Sequence, residues 1–269
     1  MTGFVARQLA LRPFPHGTEA PGSLGDHIMG MAVLGWLTEF PIATWGESWM
    51  RRGALQVTFA RPVVAGQALD MHLSIAESAI DMSYRDDGGR ACVTGRATID
   101  ADEPRSRSRP DIDSDGAAIA IRRTPRASDL RDAVFPPMTF SFDASRDLAF
   151  LDGQADAYDW RERGWAHPAW LGTATNAAIM RNIDFSDRGE STGRWQQVSA
   201  AIDMIDPIVD GDEVTMHARI DRLSTRGRTS QHHVAHLTST FRVGSRVVAR
   251  FSNDFVFATD DPSPGPPHP

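Results

Sequence analysis

Asp26 and His27 stand side by side at the start of a small-residue, apolar segment of helical length, HIMGMAVLGWLTEF. An adjacent carboxylate and imidazole can move a proton between a substrate and water. The amino-terminal end of a helix also favours developing negative charge, although Asp26 can equally serve as a plain N-cap. A second segment, HPAWLGTATNAAIMRN, opens on His167 and Pro168. Pro168 suits a first helical turn, where its missing N–H costs nothing. His167 either takes part in proton transfer or caps its own helix. His16, in a Pro-rich loop, is a third candidate histidine.

Other motifs point to simpler roles. His72 and His217 fall on the polar faces of alternating segments, a partner or solvent surface. SQHHVAHL holds three histidines, but on a strand His232 and His236 would stand about 13 Å apart and His233 would face the other way. GESTG, Gly189 to Gly193, has the spacing of a nucleophile elbow without the strand before it and helix after it that Ser191 would need. Cys92 lies between apolar neighbours as a buried thiol. For ligand phosphates only arginine is available; Arg51 and Arg52 precede the first strand and Arg181 closes the second helix, but sequence does not rank them among the other arginines.

Composition bounds the alternatives. The chain has 269 residues, a net charge of −7 and 41% hydrophobic residues, enough for one large core or two smaller ones. All 28 positive charges are arginine, which excludes a P-loop lysine, a Schiff base and a lysine general base. The acidic excess argues against nucleic acid. One cysteine leaves no internal disulfide, and no apolar run resembles a signal or membrane segment, so a cytoplasmic setting is expected.

The elements that must position these residues come from a duplication. RPVVAGQALDMHLSI (Arg61 to Ile75) and DPIVDGDEVTMHARI (Asp206 to Ile220) align without gaps, and Pro62, Val64, Gly66, Met71, His72 and Ile75 match Pro207, Val209, Gly211, Met216, His217 and Ile220. Upstream of each copy lies one of the helical segments. Within each copy, Leu69, Met71, Leu73 and Ile75, or Val214, Met216, Ala218 and Ile220, alternate as in a half-buried strand. A hairpin follows each, turning at Asp86 to Gly89 and at Gly244-Ser245. The organisation expected is a first half over 1–100, a linker over 101–133, a second half over 134–259 and a disordered tail over 260–269. The span Ala101 to Ala133 carries seven arginines and seven acids, as a solvated linker does.

WGESWMRRGALQVTFARPVVAGQAL resembles the strand-entry segment of MaoC-like acyl dehydratases. AHPAWLGTATNAAIMRNIDF and PIVDGDEVTMHARI resemble the second half of double-hot-dog members of that group. The resemblance implies an α+β double hot-dog fold, two antiparallel sheets each wrapping a central helix. It also implies acyl substrates carried as thioesters on coenzyme A or acyl carrier protein. Active hydratases of the family carry Asp-x-Asn-Pro-x-His ahead of the helix. Here His16 is preceded five residues earlier by Leu11, and in the second half Asp152 is followed by Tyr158 near the histidine position.

On that resemblance the expected function is an acyl-thioester hydratase or dehydratase, a hydro-lyase of lipid metabolism. Asp26 and His27, with His16 or His167, transfer protons; the Gly30 N–H receives the thioester oxygen, and Trp170 contacts a bulky apolar substrate. No metal or other cofactor, nucleic acid or membrane is called for, and a homo-oligomer or hot-dog partner is compatible. The alternatives are an acyl-CoA thioesterase on the same fold and a non-catalytic acyl-thioester-binding or assembly protein.

Overall fold

The computed structural model describes residues 2–5, 28, 30–99, 130–148, 158–183, 195–225 and 232–258. His16, Asp26, His27, Asp152, Ser191, most of 101–133 and the tail lie outside them. The described strands are β1 (Thr2–Val5), β2 (Gly53–Phe59), β3 (Ala68–Ile75), β4 (Ala79–Arg85), β5 (Ala91–Ile99), β6 (Met138–Ser141), β7 (Trp195–Met204), β8 (Glu213–Thr225), β9 (His232–Val243) and β10 (Arg246–Ala258). They join in one antiparallel sheet, ordered β1-β3-β4-β5-β2-β7-β10-β9-β8-β6. The helices are α1 (Gly30–Trp45), α2 (Glu47–Arg52), α3 (Ala144–Asp147), α4 (Trp160–Arg163) and α5 (Pro168–Asn182).

The two halves meet where β2 pairs with β7, from Ala54 opposite Asp203 to Thr58 opposite Ser199. α1 packs on β2, β4 and β5, α5 packs on β8 and β10, and the two helices touch each other. This is the double hot-dog arrangement, one wrapped helix per half, with the two sheets fused edge to edge.

The repeat is realised down to single hydrogen bonds. Ala60 and Arg61 N–H both reach the Cys92 carbonyl, and Ile205 and Asp206 N–H both reach that of Val248. The Gln67 side chain accepts Val64 N–H at 3.1 Å, and Asp212 accepts Val209 N–H at 2.8 Å. Gly66 and Gly211 hold φ of 79° and 85° inside these turns, a region costly for any residue with a Cβ.

α1 is apolar nearly all round, and Met31 through Thr38 are all buried. A helix of that composition is stable only when wrapped. Gly172 lets α5 come close: a Cβ there would collide with the Met31 sulfur. The matched strands differ in coverage. On β8, Val214, Met216, Ala218 and Ile220 are all buried, whereas on β3 Leu73 and Ile75 are 39% and 61% exposed. β1 pairs with β3 only from Ala68 to Met71, so the last part of β3 runs past that pairing. Leu130 and Ala133, at the end of the segment expected as linker, are buried, and Ala133 pairs with Ile220.

Candidate active site

His167 is the N-cap of α5. Its Nδ1 accepts the Ala169 N–H at 3.1 Å, and its carbonyl accepts the Trp170 N–H at 2.8 Å. An Nδ1 that accepts carries no proton, so the neutral ring is protonated at Nε2 and donates there. That nitrogen lies 3.3 Å from Glu39 Oε1 on α1, with the imidazole 1% exposed and the carboxylate 32%. The pair therefore runs from a dry interior to an oxygen that solvent can reach. The Trp160 ring packs 4.8 Å from the imidazole and 4.9 Å from Tyr158, over whose ring the Arg163 guanidinium lies at 4.6 Å. Burial and the charge of Glu39 push the Tyr84 phenol far above its ordinary range, so at neutral pH it keeps its proton.

The helix pair runs antiparallel. The start of α5 at His167 meets Glu39, well along α1, while Gly172 meets Met31, near the start of α1. Two equivalent bonds set the register of the halves: Ile28 N–H to the Val63 carbonyl at 2.8 Å, and Ala166 N–H to that of Ile208 at 2.9 Å. Gly30 thus corresponds to Pro168, Met29 to His167 and Ala177 to Glu39. Among the described residues the ionisable pair has no equivalent at the other end. Pro168 also has no N–H, so it lacks the backbone donor that Gly30 has at the start of α1.

At that end Gly30 is closely faced: a Cβ on it would lie 2.5 Å from Gln197 Oε1 and 3.3 Å from the Phe59 ring. Gln197 Nε2, Asn176 Oδ1 and both amide atoms of Asn253 are buried without a hydrogen-bond partner among the described residues. Leaving a buried polar group unbonded costs roughly 1–3 kcal/mol.

Trp170 is 3% exposed and lies edge-on to Phe140 and Phe142, centroids 6.1 and 5.6 Å away, which makes it part of the core aromatic cluster. Arg51 pairs with Glu47 at 2.9 Å and Asp206 at 2.6 Å; Arg52 and Arg181 are exposed. His72 is exposed and His217 half-buried. His236 Nδ1 lies 2.7 Å from Asp254, which also accepts from Ser199 at 2.8 Å. The serine bonds the carboxylate and not the imidazole, so the trio is no nucleophile. These bonds, that of His236 first, hold the Asp254 carboxyl below its usual range. His233 stacks on Phe257 at 5.5 Å. Among the described residues no three His, Cys, Asp or Glu side chains come together around a metal position. Cys92 is buried, which pushes its thiol up and keeps it protonated.

Glu39, Asn176, Gln197 and Asn253 were not singled out from sequence. The signal for Glu39 was there: it is the single charged residue in a sixteen-residue apolar helix. Asn253 interrupts an inward row of Phe251, Phe255 and Phe257, all buried.

No family model matches the chain, and a search of curated proteins finds no match. Solved structures do resemble it. A Mycobacterium tuberculosis protein with a double hotdog fold matches at TM-score 0.52 and 14% identity, over 88% of this chain and 83% of that one. A MaoC domain protein dehydratase from Chloroflexus aurantiacus matches at 0.52 and 9%, over 87% and 82%. A tesB protein of Mycobacterium avium subspecies paratuberculosis matches at 0.51 and 15%, over 95% and 92%. These likenesses establish the double hot-dog fold. No helix among the described residues is long and apolar enough to cross a membrane.

Proposed function

We propose that the chain is an acyl-thioester hydratase or dehydratase in which Glu39 transfers the proton and His167 positions it. The observation behind this reading is a buried Nε2–H aimed at the one carboxylate of a wrapped helix. In hydration, Glu39 takes a proton from water while the water oxygen bonds C3 of a 2-enoyl thioester. The π electrons move toward C2 and the thioester oxygen, and Glu39 returns the same proton to C2. Dehydration of a 3-hydroxyacyl thioester is the reverse. His167 holds Oε1, leaving Oε2 for water. One carboxylate therefore serves as base and then acid, and the imidazole never has to surrender its only proton.

Asp26, His27 and His16, with Gly30 as oxygen-binding donor, form the second proton-transfer set within the same proposal. Asp26→Asn and His27→Ala against Glu39→Gln locate the chemistry. A thioesterase is the competing activity: an accessible Glu39 oxygen could direct water to the thioester carbon instead. Purified protein is offered a panel of 2-enoyl-CoA thioesters, with one channel following the ultraviolet band of the conjugated thioester and the other free thiol. Loss of conjugation without thiol establishes the hydratase; thiol release establishes the thioesterase. Silence in both channels, with acyl-CoA raising the melting temperature, leaves the non-catalytic binding protein.

A further inference from the structure

We infer that the amino-terminal end of α1 is a second ligand subsite, built from neutral carboxamides. It takes an uncharged group that both donates and accepts hydrogen bonds: a hydroxyl on an acyl chain or an amide of its carrier arm. The identity of the ligand rests on the thioester reading above; the subsite itself rests on geometry. Asn253 is 1% exposed and sits in an inner row running across five strands, Val57, Ala200, Asn253, Leu237 and Ile220, whose other members are all buried and apolar. Both its amide atoms lack a partner among the described residues. Gln197 stands opposite Phe255, two residues from Asn253 on the same face, which makes the two amides diagonal neighbours on adjacent strands.

Asn176, 8% exposed, comes in from α5. It lies one helical turn beyond Gly172, on the face that meets Met31, and the antiparallel run carries it past the first residue of α1. Gln197 reaches that same first residue, Gly30. The atoms left over are two donors, Gln197 Nε2 and Asn253 Nδ2, and two acceptors, Asn176 Oδ1 and Asn253 Oδ1. No charged side chain belongs to this set, so a phosphate or carboxylate is not the complement. A group with both hydrogen-bonding senses is.

The test measures binding to the full chain by calorimetry, with butyryl-CoA, 3-hydroxybutyryl-CoA and pantetheine as probes. Asn253→Leu removes the amide at similar volume, and Asn253→Ala is the fallback if the leucine variant does not fold. A hydroxyl-binding subsite makes the wild type prefer 3-hydroxybutyryl-CoA over butyryl-CoA about tenfold, ~1.4 kcal/mol, and the variant loses that preference; this outcome seats C3 at the α1 end, with the second proton-transfer set, and not at Glu39. An amide-binding subsite makes all three probes, pantetheine included, bind the variant about tenfold more weakly. In either case Asn253→Leu raises the melting temperature of the free protein. Unchanged affinity for all three probes overturns the subsite, and so does a lower melting temperature in both folded variants. Because binding is read directly, absence of turnover in the wild type counts against the catalytic reading alone. A wild type that binds none of the probes overturns both.

Discussion

Glu39→Gln separates proton transfer from architecture. The amide has the same shape, and its oxygen still accepts the His167 Nε2–H, now 3.3 Å from Oε1. What disappears is the basicity of the oxygen that faces water. A positioned acid–base group typically contributes about 10²- to 10⁴-fold, so kcat should fall by that factor, roughly 2.7–5.4 kcal/mol of barrier. Stability should hardly move. The carboxylate is a third exposed, and exchanging a charged for a neutral acceptor in one such bond is worth about 1 kcal/mol or less, a few degrees in a chain this long. His167→Asn is the companion. Asparagine still caps α5 but is too short to hold Glu39, so turnover should drop while most of the helix stability remains. Combined with Glu39→Gln, it should add little further loss, since the two act as a unit. The readout is the two-channel enoyl-thioester assay beside a thermal melt. A Glu39→Gln enzyme with wild-type melting temperature and more than about a third of wild-type turnover, far above the general acid–base expectation, refutes the mechanism.

Asp254→Asn should destabilise the protein at neutral pH and progressively less in acid. The Asp254 carboxyl is held low in the folded state by His236 and Ser199. Its contribution is therefore full above the unfolded carboxylate range, about pH 4, and is lost as pH falls through the folded value. Melts from pH 7 to pH 3 check this; a gap that widens in acid reverses the sign and sinks the assignment. Gly172→Ala pits a helix-propensity gain of about 1 kcal/mol against overpacking on Met31, at roughly 1–3 kcal/mol. The melting temperature should fall and recover when Met31→Ala is added; a rise in the single variant contradicts the close helix contact.

Much of the fold was legible because duplication leaves local marks. Gly66 and Gly211 recur since both turns need positive φ, and the backbone N–H of Val64 and of Val209 opens the same side-chain-bonded turn. Wrapped helices announce themselves as apolar on every face. The site was harder to read, since its pairs are long-range: Glu39 and His167 are 128 residues apart, and no local pattern relates them. His167 was legible as a cap or proton carrier, and the structure gives it the cap and an outward Nε2–H at once. Trp170 reads the same in an acyl tunnel as in an aromatic cluster until Phe140 and Phe142 are placed around it. Asn253 was hidden by its strand, where one polar residue of inward parity looks ordinary without the register of four neighbours.

The same duplication explains why one end of the helix pair carries an ionisable pair while the other, among the described residues, carries neutral amides. The backbone offers the two ends equivalent frames, anchored by the Val63 and Ile208 carbonyls. A carboxylate in that frame, however, needs both a donor and a route to water. Glu39 has the His167 Nε2–H and a third of its surface exposed. Ala177 takes the corresponding place on α5, and counting from the same anchors makes Met29 the sequence counterpart of His167. Ala177→Glu would thus install a carboxylate without the counterpart of the His167 imidazole. It should destabilise the fold by roughly 1–3 kcal/mol, as an unsupported polar group does, lower the melting temperature accordingly, and add no turnover. A variant that gains activity, or that restores turnover in a Glu39→Gln background, would mean that the proton-transfer centre needs no imidazole, and His167 would then be a cap and nothing more.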